Sequence, residues 1–284
     1  MDKNNNEWSL IIKPKYGLLD VNLKEIWRYR DLVALLVKRD FIAFYKQTIL
    51  GPLWFLIQPV MTTAVYVFLF NTVAKISTEG APPILFQLAG ITCWMYFSEA
   101  LVKTSDTFIA NANIFGKVYF PRIIIPISII LSSMIKLGVQ LLLFFCIWAY
   151  FMLFTDANVH LTWAAWLFPA LVLIMALQGL GLGIIISSLT SKYRDLRFLL
   201  TYGIQLLQFT TTVAYPLSEA PNAVKPYIGY NPVTSILETF RFGFLGTGQF
   251  YYSYFIYSII MTIILLVIGI IMFNRVEKTF MDTV

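Results

Sequence analysis

From residue 52 onward, long apolar runs alternate with short polar connections, and a basic segment with a helical period precedes them. Residues 1–21 are polar and irregular, broken by Pro14 and Gly17. Asn22, with Glu25 three positions on, reads as the N-cap of a helix. Leu23, Ile26, Trp27, Leu32, Leu35 and Leu36 then fall near one face, with Lys24, Arg28, Lys38 and Arg39 largely off it. A basic face with a tryptophan on the apolar side predicts a helix lying on a membrane surface, packed on another protein domain, or both. Residues 38–59 form an elbow, with cations at Lys38, Arg39 and Lys46, a break at Leu50-Gly51-Pro52, and an apolar entry at Leu53, Trp54 and Phe55.

Six apolar runs follow: 52–74, 84–106, 123–154, 163–189, 198–215 and 252–273. Each is near or above the roughly 20 residues that cross a bilayer as helix. Pro59 predicts a kink in the first, because proline removes a backbone donor. The third is longer than one crossing needs and is expected to tilt or protrude. Polar connections lie at 107–122, 156–160 and 191–197, and 274–284 reads as a polar tail. The stretch 216–248 differs, with breakers at Pro216, Pro221, Pro226 and Pro232 ahead of an apolar half. Asn231-Pro232 reads as an N-cap followed by proline at the first helical position, and Gly246 as the stop. That helix is too short and, with Glu238 and Arg241, too charged to cross, so it lies on the surface or dips in and returns.

The charges order this pattern. Inner segments, taking the N-terminus as inside, hold Lys3, Lys13, Lys15, Lys24, Arg28, Arg30, Lys38, Arg39, Lys46, Lys103, Lys117, Arg122, Lys192, Arg194, Arg197, Arg275 and Lys278. Outer segments hold Lys75, Lys225 and Arg241, and Lys136 falls inside the third run. Such asymmetry places both termini in the cytoplasm. The expected fold is therefore an all-α integral membrane protein with six transmembrane helices, an N-terminal amphipathic helix, and short outer re-entrant helices before the last span. The expected divisions are 1–21, a cytoplasmic segment; 22–51, the amphipathic helix and elbow; and 52–284, the membrane domain.

Composition narrows the chemistry. Fifty-eight per cent of residues are hydrophobic and 13% charged, where an ordinary soluble domain carries roughly a quarter charged. No G-x-x-x-x-G-K-[ST] loop is present, so the chain has no P-loop nucleotide site of its own. One histidine and two separated cysteines leave little for a metal. Cys93 and Cys146 read as small buried hydrophobes, and His160 as a solvated turn residue. The N-terminus has no apolar core after its lysine and is not expected to be a cleaved signal. Glu99 and Lys103, one turn apart, suggest a local pair, and Lys136 is placed to join Glu99 from the next span or to meet a substrate. Aromatic residues make up 17% of the chain. Those near span ends suit interfacial anchoring. Tyr66, Phe68, Phe70, Tyr202, Phe209 and Tyr215 lie deeper and serve either helix packing or stacking against sugar rings.

The elbow sequence KRDFIAFYKQTILGPLWFLIQP, followed by NANIFGKVYFPR and NPVTSILETFR in that order, resembles the membrane subunit of type-2 ABC exporters that move polysaccharides. The likeness is nearest to O-antigen permeases and extends to teichoic acid and capsule exporters, from Trp8 onward. It implies two copies of this chain and two copies of a separate ATPase subunit, which carries the ATP and Mg. It implies no cofactor in this chain, no nucleic-acid partner, and a bacterial inner-membrane location. The implied substrate is a polysaccharide linked to undecaprenyl pyrophosphate. By the same likeness Asn111, Asn113, Lys117, Tyr119 and Arg122 belong to the segment that couples to the ATPase. Leu50 and Gly51 lie at the cytoplasmic mouth of a channel, and Asn231, Pro232, Glu238 and Arg241 belong to outer gate helices. The channel walls would be the first and fifth spans, with Tyr66, Phe70, Tyr202 and Phe209 facing sugar. Arg28, Arg39 and Lys46 are placed to gather an anionic pyrophosphate. Two rivals are a type-2 permease for a drug or lipid, and a polytopic membrane transferase. The second wants clustered carboxylates or a His-Asp pair at one membrane face, which the sequence lacks.

Overall fold

A chain this apolar must satisfy its backbone within itself, and every regular element among the described residues is helical. The structure is a computed structural model that describes residues 23–46, 48–115 and 120–279. Asn22, Lys117 and Tyr119, and the tail beyond residue 279, lie outside the described residues. Five helical stretches are long and apolar enough to cross a membrane: Gly51–Val73, Pro83–Ser105, Ile124–Phe154, Trp163–Thr190 and Tyr252–Glu277.

In chain order, α1 (Leu23–Arg28) and α2 (Arg30–Tyr45) precede the first span. That span joins a short 3-10 turn (Gly51–Leu53), α3 (Trp54–Tyr66) and a π-helical end (Val67–Val73). α4 (Pro83–Ser105) leads to the small helices α5 (Thr107–Ala110) and α6 (Ala112–Phe115). α7 (Ile124–Phe154), α8 (Phe168–Thr190) and α9 (Leu196–Phe209) follow. The chain closes with α10 (Lys225–Gly229), α11 (Pro232–Leu245) and α12 (Tyr252–Thr279).

α8 is the centre post, packed between α4 and α12. Its glycines permit the approach. A Cβ at Gly179 would come within 2.8 Å of the Ala100 Cβ, one at Gly183 within 2.5 Å of the Thr104 Cβ, and one at Gly181 within 3.1 Å of the Leu265 backbone. Small residues allow this close packing where no hydrophobic force drives helices together in lipid. α4 is enclosed, with 78% of its most apolar stretch buried, whereas the first, third and last spans bury only 17% of theirs. Those three therefore carry wide faces for lipid or a partner chain.

Four expectations require correction. The run at 198–215 is not one long helix: α9 ends at Phe209 and turns follow. Its 14 residues reach about 21 Å, short of the roughly 30 Å hydrocarbon core. The last helix does not stop at Phe273 but continues to Thr279. Its extension is held by Arg122, whose Nη1 donates to the Glu277 carbonyl at 2.7 Å. The amphipathic helix is broken at Tyr29, and Val33 and Leu36 are its buried residues while Trp27 is 71% exposed. A Trp-bearing apolar side thus points outward rather than into the bundle. Cys93 is buried as expected, but Cys146 lies exposed on α7.

Candidate functional site

The elbow begins where α2 hands over to α3. Gly51 has φ +53, a conformation that side chains rarely adopt, and an added Cβ there would meet open space. Glycine is thus needed for its backbone angle rather than for room. Leu50 beside it is exposed. The Phe41 and Phe55 rings, 6.0 Å apart, tie the surface helix to the first span. Behind Phe55 stands the one cluster of span charges that the sequence marks. Glu99 accepts from Lys103 and from Lys136, each at 2.7 Å, and the Lys136 Nζ lies 5.7 Å from the Phe55 ring centre. The carboxylate is thus shared between its own helix and α7. Arg28 and Lys46 are exposed, and Arg39 pairs with Asp40 at 2.8 Å.

The expected coupling segment is pinned by phenylalanines. Phe108 stacks on Phe273 with centroids 4.8 Å apart, and Phe115 lies 6.0 Å from both Phe108 and Phe120. Asn111 is buried, donating its side-chain N–H to the Thr107 carbonyl at 3.0 Å. Asn113 is exposed. The Arg122 guanidinium lies 5.4 Å over the Phe115 ring. Burial pulls its pKa below the ordinary value and Glu277 opposes that pull. It stays charged at neutral pH. A contact that sequence reasoning missed joins this region to α9, as Arg197 donates to Asp106 at 2.6 Å.

The two spans expected to wall a channel meet at Tyr66, whose hydroxyl accepts from the Gln208 side chain at 2.7 Å. Phe70 lies edge-on to Tyr66 at 5.2 Å. Tyr202 and Phe209 are 68% and 62% exposed, with Phe198, Leu199 and Leu206 beside them, so α9 presents an apolar and aromatic face that its own chain leaves uncovered. Gln87 adds a second crosslink, donating to the Asn71 side chain at 3.0 Å and to the Ala214 carbonyl at 2.9 Å. The signal for these contacts was legible: glutamines inside apolar runs are expensive in lipid and seek partners.

Beyond α9, Arg241 of α11 closes the structure. Its Nη1 and Nη2 donate to the carbonyls of Thr212 and Val213, each at 2.6 Å, and its guanidinium lies 3.7 Å from the Phe86 ring centre. Glu238 accepts from the Leu217 N–H at 3.3 Å and stands 3.6 Å from Arg241. Both charges are buried, so α11 is embedded rather than laid on the protein surface. Its ends agree with the sequence. The Asn231 side chain accepts from the Val233 N–H, Pro232 opens the helix, and Gly246 ends it at φ +70. A buried helix end must find donors for its last carbonyls. Here Thr162 N and Oγ1 serve Gly243 and Phe242, each at 2.9 Å, and the Trp148 indole serves Phe244 at 2.7 Å. His160 is exposed, its ring lying against Gly246. Among the described residues, no cluster of His, Cys, Asp and Glu could hold a metal.

The described residues form coupled helix ends around an aromatic face. Known proteins are similar in sequence along most of the chain. The O-antigen export system permease protein RfbA of Klebsiella pneumoniae is 28% identical over 252 residues, covering 89% of this chain and 94% of that protein. Its namesake in Myxococcus xanthus is 27% identical over 77% of this chain and 82% of its own length. The capsule polysaccharide export inner-membrane protein CtrC of Neisseria meningitidis serogroup B is 22% identical over 88% of this chain and 92% of its own. The ABC-2 type transporter model matches residues 31–245, and the chain belongs to that family.

Proposed function

We propose that this chain is the membrane-spanning subunit of an ATP-driven exporter that carries undecaprenyl-pyrophosphate-linked polysaccharide, an O-antigen type of polymer, across the bacterial inner membrane. The observation that carries the reading is similarity to an O-antigen export permease over nearly the whole of both chains. Two copies of the chain pair with two copies of an ATPase subunit, which holds ATP and Mg. α9 with the turns after it makes the sixth crossing, which puts both termini in the cytoplasm. The uncovered face of α9, with Tyr202 and Phe209, and the Tyr66–Phe70 pair of the first span then turn toward the polymer. Stacking on such rings is weak, repeated and tolerant of sequence, as sliding requires. Cations at Arg28, Arg39 and Lys46 and the turn at Leu50-Gly51 form the entrance. Arg39 is the least available of the three, since Asp40 already neutralises it. The 107–122 segment meets the ATPase, and the Asp106–Arg197 pair passes its displacement to α9.

Deletion of the gene tests this directly. Lipid-linked polymer is expected to accumulate on the cytoplasmic side while surface polymer disappears. Surface polymer at wild-type levels in the deletion strain would refute the assignment.

A further inference from the structure

The chain folds a second aromatic site, on α10 and the start of α12. A cleft of about 590 Å3 opens between α10 and the residues that lead into α12. Asn222 and Lys225 bring an amide and an ammonium group to it, and Tyr230, Tyr251 and Tyr254 bring rings. The rings are held in place by one another. Tyr230 meets Tyr254 and Tyr257 edge-on at 5.1 Å each, and Tyr251 lies 5.7 Å from Tyr254. Tyr254 in turn rests on Gly229, where any Cβ would come within 2.5 Å of its Cζ. Interfacial tryptophans and tyrosines place their rings at the level of the lipid headgroups. These instead line a concavity, half-exposed and fixed before any ligand arrives, which lowers the cost of binding.

A ligand for this cleft needs flat C–H faces for the tyrosines, and hydroxyl or carboxylate oxygens for Lys225 and Asn222. A pyranose ring has both. We propose that the cleft is a saccharide subsite on the outer face, occupied by a sugar unit of the polymer as it leaves the protein. The subsite rests on the export reading and on the outer placement expected for residues 216–248. By holding the emerging end briefly, it opposes backward slip between strokes of the ATPase.

The test uses the whole permease–ATPase complex in nanodiscs of phosphatidylethanolamine and phosphatidylglycerol. The probe is an oligosaccharide of two repeat units prepared from the host's own surface polysaccharide, and the readout is saturation-transfer NMR. The expected result is transfer to pyranose C–H protons that falls about fivefold or more in the Asn222→Ala/Lys225→Ala double variant, as loss of one or two net hydrogen bonds predicts. Tyr230→Ala should lower it again, with the complex still assembled. Equal transfer in wild type and variants would overturn the subsite. So would transfer to glycerophosphoglycerol but not to the oligosaccharide, which would make the cleft a lipid-headgroup site. The same variants in the deletion strain separate the two claims. If deletion leaves surface polymer intact, the export reading fails; if deletion abolishes it but the variants bind sugar like wild type, only the subsite fails.

Discussion

At the scale of single residues, Glu99 is the most consequential side chain. It is mostly buried and shared by Lys103 and Lys136. Removing it takes from the largely buried Lys136 its carboxylate partner, so Glu99→Ala should cost about 3 kcal/mol. Lys103 is nearly half exposed, and Lys103→Ala should cost at most about 1 kcal/mol. Thermal unfolding of the purified complex checks the order; equal losses would mean that the Glu99 carboxylate is not what holds Lys136 in place. The span charges were legible in the sequence because each is costly in lipid and must be paired. The deep aromatics were less so, since stacking on sugar and packing between helices favour the same residues. Tyr66→Ala and Phe209→Ala separate these uses. Export should slow in both while assembly with the ATPase persists, and normal export in both would return the rings to packing.

At the scale of elements, α11 shows what capping residues specify. Asn231, Pro232 and Gly246 marked its ends in the sequence, and the structure places all three in those positions. Asn231→Ala should cost about 1 kcal/mol. Gly246→Ala should cost more than this, since alanine must adopt φ +70 and its Cβ would displace the His160 ring. Protease protection of the 216–248 segment gives the comparison, and a reversed order would place the glycine outside the constraint. α9 shows the opposite case. Its apolar pattern runs on to Tyr215, yet the helix ends at Phe209, where Thr210, Thr211 and Tyr215 take its last carbonyls and Arg241 holds the chain just beyond. The Tyr215 hydroxyl donates to the Phe209 carbonyl at 2.9 Å, and Arg241 takes those of Thr212 and Val213. The grip of Arg241 on the turn beyond that end comes from another helix and leaves no local signature. The extension of α12 beyond Phe273, anchored through Arg122, was hidden for the same reason.

At the scale of the molecule, the difference between five long spans and six crossings rests on this short helix. A cysteine at Glu219, in a Cys146→Ser background that leaves only the buried Cys93, should react with an impermeant maleimide from outside intact spheroplasts, and one at Lys192 only after lysis. Glu219 reacting only after lysis would mean that α9 does not cross, leaving five crossings and the two termini on opposite sides. The Arg241 contacts also carry a consequence for tolerance to mutation. Arg241 and Gln87 grip main-chain oxygens of residues 212–214 rather than their side chains. The hold itself survives a change of side chain in the turn, though Thr212 and Val213 are fully buried and accept only residues that fit, whereas neither donor can be replaced by a residue of different reach. A saturation library scored by surface polymer should show Thr212 and Val213 accepting residues of like size, facing two intolerant positions at Gln87 and Arg241.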